Sequence, residues 1–331
     1  MSLNKKIIFR TEFGPFVGLG HLIRCLRLAE LFKLKKFDPI FVIYNETSIS
    51  NLIKKKKIKV QYVQNARINI NENISWAKIK ASLVVIDGKE IKNNYFNKVS
   101  KFNSNILTFS DFKKINLNIN HVINNHLWAE NLKFPKNIKY LYFGSKYNLL
   151  NNNYFLKPKK NKNLLITMGG DDFRNVTLKL LKALNTNLKS FNKVYVIIGN
   201  YHPNPKIVSN FIQKNKFNIE LIYRPNSLLK YYKICQYAIT GCGTTVYEII
   251  ASKIIFGYVV LDRDQVLLSK FLNKHKVGIN FGNSFTSKKN IQINYNKLIK
   301  INKNNQSKKY QQLIPFSGSK LLINNIINNI T

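Results

Sequence analysis

Histidine is the side chain best suited to move a proton near neutral pH. One of the five histidines here, His21, lies in a stretch built for ligand approach. The stretch reads Arg10-Thr11-Glu12-Phe13-Gly14-Pro15-Phe16-Val17-Gly18-Leu19-Gly20-His21-Leu22-Ile23-Arg24. An apolar run ends at Arg10, a glycine-bearing loop follows, and a helical period starts near His21. Gly18 and Gly20 let the backbone come close to a ligand. A helix N-terminus offers N–H groups and partial positive charge, which suits phosphate. An imidazole at that mouth is placed to accept a proton. Ile23 stands where a third glycine would complete the GxGxxG dinucleotide fingerprint, so that motif is not present. The same residues would also serve as a plain strand-to-helix turn with a capping histidine.

Two later stretches repeat the arrangement. Met168-Gly169-Gly170-Asp171-Asp172 follows an apolar run, and either aspartate could cap the next helix. A metal-binding aspartate pair is disfavoured, because no third carboxylate or histidine is near in sequence. Thr240-Gly241-Cys242-Gly243-Thr244-Thr245-Val246-Tyr247-Glu248 passes from a strand through Gly-x-Gly into a helix. Thr244 and Thr245 could cap that helix or donate to phosphate oxygens. Glu248, in the first turn, could accept from ribose hydroxyls or act only as a capping-box acid.

Other chemistry fades on spacing. His121, His126, His202 and His275 lack metal-ligand spacing. Cys25, Cys235 and Cys242 are an odd count without CxxC, which argues against a disulfide framework and a zinc site. Cys242 between two glycines reads as a small side chain beside a ligand. Neither a G-x-S-x-G nor a Walker A motif occurs.

The elements that must position these residues alternate short apolar runs with longer helical periods, the pattern of a parallel sheet covered by helices. Strands are expected near 6–10, 39–44, 83–87, 105–110 and 121–124, with a helix over 21–35 whose Leu22, Leu26, Ala29 and Phe32 share one face. A polar, Pro-containing stretch at 141–162 marks a domain boundary. Beyond it, strands are expected at 164–168, 193–198, 219–223, 237–240, 255–261 and 278–281. Helices are expected at 175–184, 205–214, 227–234, 245–252 and 265–274. The expected organisation is α/β, with one Rossmann-like domain over 1–150 and a second over 160–318. A last helix, 319–331, would pack back on the first domain through Leu322, Ile323, Ile326 and Ile330.

Charge is the unusual bulk property: 54 Lys and Arg against 15 Asp and Glu, a formal +39. Such a field attracts nucleic acid, anionic membrane or phosphorylated substrates. The surplus is mostly scattered Lys accompanied by much Asn and Ile, which reads more as compositional drift than as a selected polyanion surface. Clusters stand out only at Lys54-Lys55-Lys56-Lys57 and around 157–162. A polyanion-binding protein is therefore the alternative from another class, but no nucleic-acid motif supports it, and no nucleic-acid partner is expected. After Met1-Ser2-Leu3-Asn4-Lys5-Lys6, the apolar segment Ile7-Ile8-Phe9 is too short for a signal peptide. No apolar run reaches the ~18 residues of a membrane span. A cytoplasmic location is expected, with weak attachment to an anionic surface through Lys left open.

The three stretches, in this order, resemble the pseudaminic-acid-pathway UDP-sugar hydrolase family and its spore-coat-polysaccharide relatives. Asp111-Phe112, the segment from His121 to Asn125, and Phe143-Gly144-Ser145-Lys146-Tyr147-Asn148-Leu149-Leu150 look like that family's middle segments. Gly169-Gly170-Asp171-Asp172 with Asn175-Val176-Thr177, and Asp264-Gln265, look like later ones. The resemblance covers roughly residues 6–283. It implies a GT-B fold, two Rossmann-like domains facing a central cleft, related to the UDP-N-acetylglucosamine transferase of peptidoglycan synthesis. It implies UDP on the C-terminal half, sugar and water on the N-terminal half, and neither metal nor cofactor. By motif position His21 would be the general base, with Asp87 and Lys89 beside the reacting centre. Gly243, Thr244 and Thr245 would hold the diphosphate and Glu248 the ribose. Arg10, Gly18, Gly20, Arg24, Gly169, Gly170 and Gln265 would line the ligand.

The implied reaction is hydrolysis of a UDP-linked diacetamido-trideoxyhexose to UDP and free sugar for nonulosonic acid synthesis, serving surface glycans. The family carries Asp-His-Tyr-Gly where this chain has Asp87-Gly88-Lys89-Glu90, so Lys89 replaces the aromatic residue expected beside the water. The arginine that usually follows the Tyr-x-Leu-Leu element is replaced by Asn151. A glycosyltransferase on the same scaffold, acting on an acceptor hydroxyl, is the alternative.

Overall fold

The computed structural model describes residues 5–14, 17–110, 119–132, 138–157, 161–170, 172–199, 201–215 and 218–330. Asp111-Phe112, Asp171 and the core of the 157–162 lysine cluster lie outside the described residues. The chain divides into two compact units, residues 1–149 with 317–331, and residues 150–316.

The first unit holds seven parallel strands: β1 Lys6–Thr11, β2 Asp38–Tyr44, β3 Lys59–Val63, β4 Leu83–Asp87, β5 Ile106–Phe109, β6 His121–Asn124 and β7 Tyr140–Phe143. Their order is β3-β2-β1-β4-β5-β6-β7. Helices α1 Gly20–Leu34, α2 Thr47–Lys55 and α3 Asn93–Ser100 make the crossovers. β1 is buried from Ile7 to Thr11 and β4 throughout, with Ile7-Ile8-Phe9 and Leu83-Val84-Val85-Ile86 as their apolar runs, as strands covered on both faces require. Alternate residues feed two cores. Ile7, Phe9, Leu83 and Val85 pack under α1, and Ile8, Val84 and Ile86 pack against Tyr95, Phe96 and Val99 of α3. Phe9 stacks on Phe41 and meets Phe32 of α1 edge-on.

The second unit holds six parallel strands: β8 Asn163–Thr167, β9 Lys193–Ile198, β10 Ile219–Tyr223, β11 Tyr237–Gly241, β12 Ile255–Val260 and β13 Ile279–Asn283. Their order is β10-β9-β8-β11-β12-β13. Its helices are α4 Val176–Leu188, α5 Pro205–Asn215, α6 Leu229–Ile234, α7 Thr245–Ala251, α8 Val266–Lys274, α9 Lys288–Ile299 and α10 Lys303–Leu313. The terminal α11, Gly318–Ile330, returns to the first unit, where Leu322, Ile323 and Ile326 join the core under α1.

The elements missed by pattern reading have identifiable reasons. β3 is a half-exposed edge strand carrying Lys59 and Gln61, separated from four lysines only by Ile58, so its apolar period is weak. β7 is the opposite edge and falls inside the stretch read as an irregular boundary. α2 and α3 are rich in Ser, Asn and Lys and form because a parallel crossover requires a covering element, not by propensity, and the Asn- and Lys-rich α9 forms because Ile291, Tyr295 and Leu298 pack into the second unit's core. Among the described residues no helix is long and apolar enough to cross a membrane.

Candidate functional site

Each unit runs its strands outward in both directions from a central pair. In such sheets the crevice between the diverging crossovers, at the carboxyl ends of that pair, is the place for a ligand. In the first unit the pair is β1 and β4, and Thr11 and Asp87 stand at register partners at their ends.

Asp87 is fully buried beneath the first turn of α1. Its Oδ1 lies 2.8 Å from His21 Nδ1 and 2.7 Å from Arg24 Nη2, and its Oδ2 lies 2.6 Å from Arg24 Nε. The Cys25 thiol adds a long contact of 3.5 Å to Oδ2. Burial alone would raise the Asp87 pKa, but the charges and hydrogen bonds of Arg24 and His21 hold it below the ordinary value of 3.8. Asp87 is therefore an anion at neutral pH.

That anion favours one histidine tautomer. Nδ1 also lies 2.9 Å from Arg24 Nη2. A bare Nδ1 would set its lone pair against an ionised oxygen at 2.8 Å. With a proton, Nδ1–H donates to Asp87, and Arg24 keeps its bidentate hold on both carboxylate oxygens. The Nε2 lone pair is then left facing away from Asp87, an arrangement that can accept a proton. His21 and Arg24 retain 14% and 16% of their side-chain exposure, so the cluster is reachable from solvent. The Phe109 ring at the end of β5 lies 4.7 Å beneath the Arg24 guanidinium and holds it flat. Phe109 was not singled out from sequence; an aromatic at a strand's last residue was the available signal. The glycine loop leading into α1 is closed by paired backbone bonds between Gly14 and Gly18, and Leu19 at the helix cap makes no side-chain capping bond.

Other expected contacts sit elsewhere. Arg10 is fully buried, and strand alternation turns it to the α3 face, opposite His21 and Arg24. There it pairs with Glu72 at 2.6 Å and donates to the carbonyls of Thr11 and Asn65. Arg10, expected to line the ligand, thus has its guanidinium engaged within the protein. Lys89, placed beside the reacting centre by resemblance, has an exposed side chain, while its backbone N–H donates to Glu12 at 2.9 Å. Glu12 is itself buried and also takes the Ile68 N–H. A Cβ at residue 88 would fall 2.7 Å from the Glu12 Cδ, so Gly88 lets the buried Glu12 side chain pass close to the backbone.

In the second unit the central pair is β8 and β11, and the two remaining glycine stretches follow them. The Met168 carbonyl lies 3.2 Å from where a Cβ on Gly241 would sit, so the two loops are adjacent. Gly169 and Gly170 are open to their surroundings on the Cβ side, whereas Gly199 after β9 supports them from behind. Any Cβ at 199 would lie 2.2 Å from the Gly169 carbonyl oxygen. Asp172 caps α4, accepting from Val176 and Thr177 N–H at 2.7 and 2.8 Å. Among the described residues no group of three His, Cys, Asp or Glu is placed to hold a metal ion.

Thr244 is the exposed cap of α7 and makes no side-chain capping bond. Thr245 and Gly243 are half-buried beside it, and the Gln265 amide nitrogen lies 3.8 Å from a Cβ position on Gly243. Gln265 is held there by accepting from Leu261 N–H at 2.9 Å. The half-buried Glu248 accepts from the Tyr232 hydroxyl at 2.7 Å. Tyr232 is buried and carries no sequence signal of this role. Burial pushes the Cys242 thiol up to about 12, so it stays protonated.

Comparison with known proteins places this geometry in a fold. No protein-family model matches the chain. An uncharacterized protein of Methanocaldococcus jannaschii is 27% identical over 263 residues, covering 73% of this chain and 53% of that protein. The chain thus spans about half the length of this relative. Among solved structures, MurG of Acinetobacter baumannii aligns at TM-score 0.65 and 16% identity, covering 98% of this chain and 99% of MurG. A glycosyltransferase from Rickettsia africae aligns at 0.65 and 14% identity, covering 99% and 98%. Arabidopsis thaliana UGT89C1, complexed with UDP-L-rhamnose, aligns at 0.68 and 10% identity, covering 98% of both chains. The two parallel sheets share the GT-B fold of these glycosyltransferases.

Proposed function

We propose that the chain is an enzyme that cleaves a UDP-sugar at the anomeric carbon, with His21 as the general base and water as the attacking group. The observation that carries this reading is the His21–Asp87–Arg24 cluster at the carboxyl ends of β1 and β4. Nε2 takes a proton from water as its oxygen bonds the anomeric carbon. The bond from that carbon to the diphosphate oxygen breaks, and UDP leaves with the electron pair. The ionised Asp87 stabilises the imidazolium that results. A single displacement of this kind inverts the anomeric centre.

A glycosidase needs a second carboxyl group to protonate a poor leaving group. UDP leaves as a stable anion, so one base suffices where donors meet the diphosphate. On this reading Gly243, Thr244 and Thr245 hold the diphosphate, Glu248 the ribose, and Gly169, Gly170 and Gln265 the neighbouring surface. Gly18 and Gly20 admit the sugar beside His21. The nucleotide class is supported by the resemblance and by UDP-L-rhamnose in a structural neighbour. The diacetamido-trideoxyhexose identity rests on the resemblance alone.

Transfer to an acceptor hydroxyl is the second reading. It is favoured by Lys89, exposed where the hydrolases carry tyrosine, and by the glycosyltransferases among the structural neighbours. The deciding experiment measures UDP release from the diacetamido-trideoxy UDP-sugar and a panel of UDP-N-acetylhexosamines, without acceptor, beside His21→Ala. Release that depends on His21 supports hydrolysis. UDP binding without release supports transfer. Neither binding nor release rejects both.

A further inference from the structure

The edge of the first sheet opposite His21 carries a second, unassigned surface. In a parallel sheet every crossover helix ends where the next strand begins, so α1, α2 and α3 all deliver their C-termini to the amino edge. That edge is basic. α1 ends in exposed Lys35 and Lys36, and α2 ends in exposed Lys55 and Lys57. The two runs are locked together, because Lys33 reaches across to the carbonyls of Lys56 and Lys57. Lys6 and Lys59 open β1 and β3, and Lys101 ends α3.

The acids are distributed the other way. Asp87 ends β4, and Glu12, Glu46 and Glu90 follow the carboxyl ends of β1, β2 and β4. Toward the amino edge stand Asp38 and Glu30, both already paired, with Lys59 and Lys56. Compositional drift scatters lysine; it does not sort the acids to one edge. Apolar side chains stand out among these lysines as well. Leu34, the last residue of α1, is 78% exposed, and Phe102, just beyond α3, is 46% exposed on the other side of the sheet.

We propose that this amino edge docks on an anionic lipid bilayer, with lysines on the headgroups and Leu34 and Phe102 entering the interface. A polybasic face with apolar side chains matches such a surface, since neither signal alone holds a protein firmly. Nucleic acid would use the lysines but leave Leu34 unexplained. Docking by this edge turns the carboxyl edge of the same sheet, with His21, away from the lipid. The inference does not depend on the proposed reaction.

The test is co-sedimentation of the full chain with phosphatidylcholine vesicles, with and without about 30% phosphatidylserine. Capture should be at least about tenfold stronger on the anionic vesicles. Lys35→Glu with Lys55→Glu should abolish most of it, and Leu34→Ser should weaken it about threefold or more. Lys288→Glu with Lys289→Glu, an equal charge change at exposed sites on α9, should leave capture within about twofold. Equal capture by both vesicle types, equal loss in the two double variants, or an inert Leu34→Ser would each overturn the proposal.

Discussion

The two units share one topology and fill its functional position differently. In each, strands one and four of the unit lie at the centre and the crossovers diverge above them. In the first unit that position holds a buried carboxylate, an imidazole and a guanidinium within 2.9 Å of one another. In the second it holds Gly169, Gly170, Gly241 and Gly243, with Thr244 and Thr245 at the rim. One place is defined by charge and the other by the near lack of side chains. The fold supplies the location, and the residues supply the chemistry. On the proposed reading the contrast follows the chemistry, since proton transfer needs a fixed, polarised side chain and a diphosphate is best met by close backbone.

This contrast can be broken from either side. The largest effect is expected at His21. His21→Ala should lower turnover about 10²–10⁴-fold while UDP affinity, read by calorimetry, stays within a few-fold. Collapse of UDP binding would instead make His21 a phosphate or structural residue.

Asp87→Asn should lower turnover by about 10²–10⁴-fold through the wrong histidine tautomer. It also removes one partner of a buried ion pair with Arg24, a loss that costs about 3–5 kcal/mol in such sites. Thermal melts must therefore accompany the kinetics. A variant with full turnover would remove the base assignment.

In the second unit the corresponding lesion is steric. Gly199→Ala puts a methyl against the Gly169 and Gly170 carbonyls and should cost about 1–3 kcal/mol. Nucleotide affinity should fall as those loops shift, with the bond-breaking rate at saturating substrate little changed. A fall in that rate alone would contradict the division of labour. Glu248→Ala should weaken UDP binding about tenfold, as loss of a charged hydrogen bond does. Tyr232→Phe, which removes the donor that orients Glu248, should have a smaller effect in the same direction. Unchanged affinity in Glu248→Ala would end its ribose role.

The smallest effect concerns stability. Both units bury a neutral histidine, His121 in the first and His202 in the second, each with its pKa lowered first by burial. For His121 burial, with the nearby Lys139 charge, brings the value to about 4 from the ordinary 6.5. The folded value lies below the unfolded one, so the unfolded chain binds the extra proton. The stability is fully present above 6.5 and is lost as pH falls toward 4. His121→Gln should flatten the dependence of the melting temperature in that window. An unchanged slope would show that His121 is not buried as a neutral group.

Much of the positional information was readable along the chain. The apolar runs at β1, β4, β8 and β11 located four strands that the topology makes central, and the glycine loops after β1, β8 and β11 lie where the sequence put them. His21 and Arg24, three apart at the start of α1, share a face by helical period alone. Arg10 shows the limit of reading motifs without parity. It adjoins the loop in sequence, yet its even position shares a face with Ile8, away from α1. Lys89 shows another limit, since its backbone is fixed by Glu12 while its side chain goes to solvent.

What the sequence determined by itself was periodicity, loop composition and charge, because these are local and need no partner. It placed most of the parallel strands, the glycine loops and the lysine runs. Only the tertiary structure decided which distant groups meet. Asp87 reaches His21 across 66 positions, Gly199 backs Gly169, Tyr232 orients Glu248, and the lysines of α1 and α2 converge on one edge. The physical reason is that a buried charge is tolerable only beside its counter-charge. Crossover topology sets which side chains are close enough to provide it, and a linear pattern holds no record of that distance.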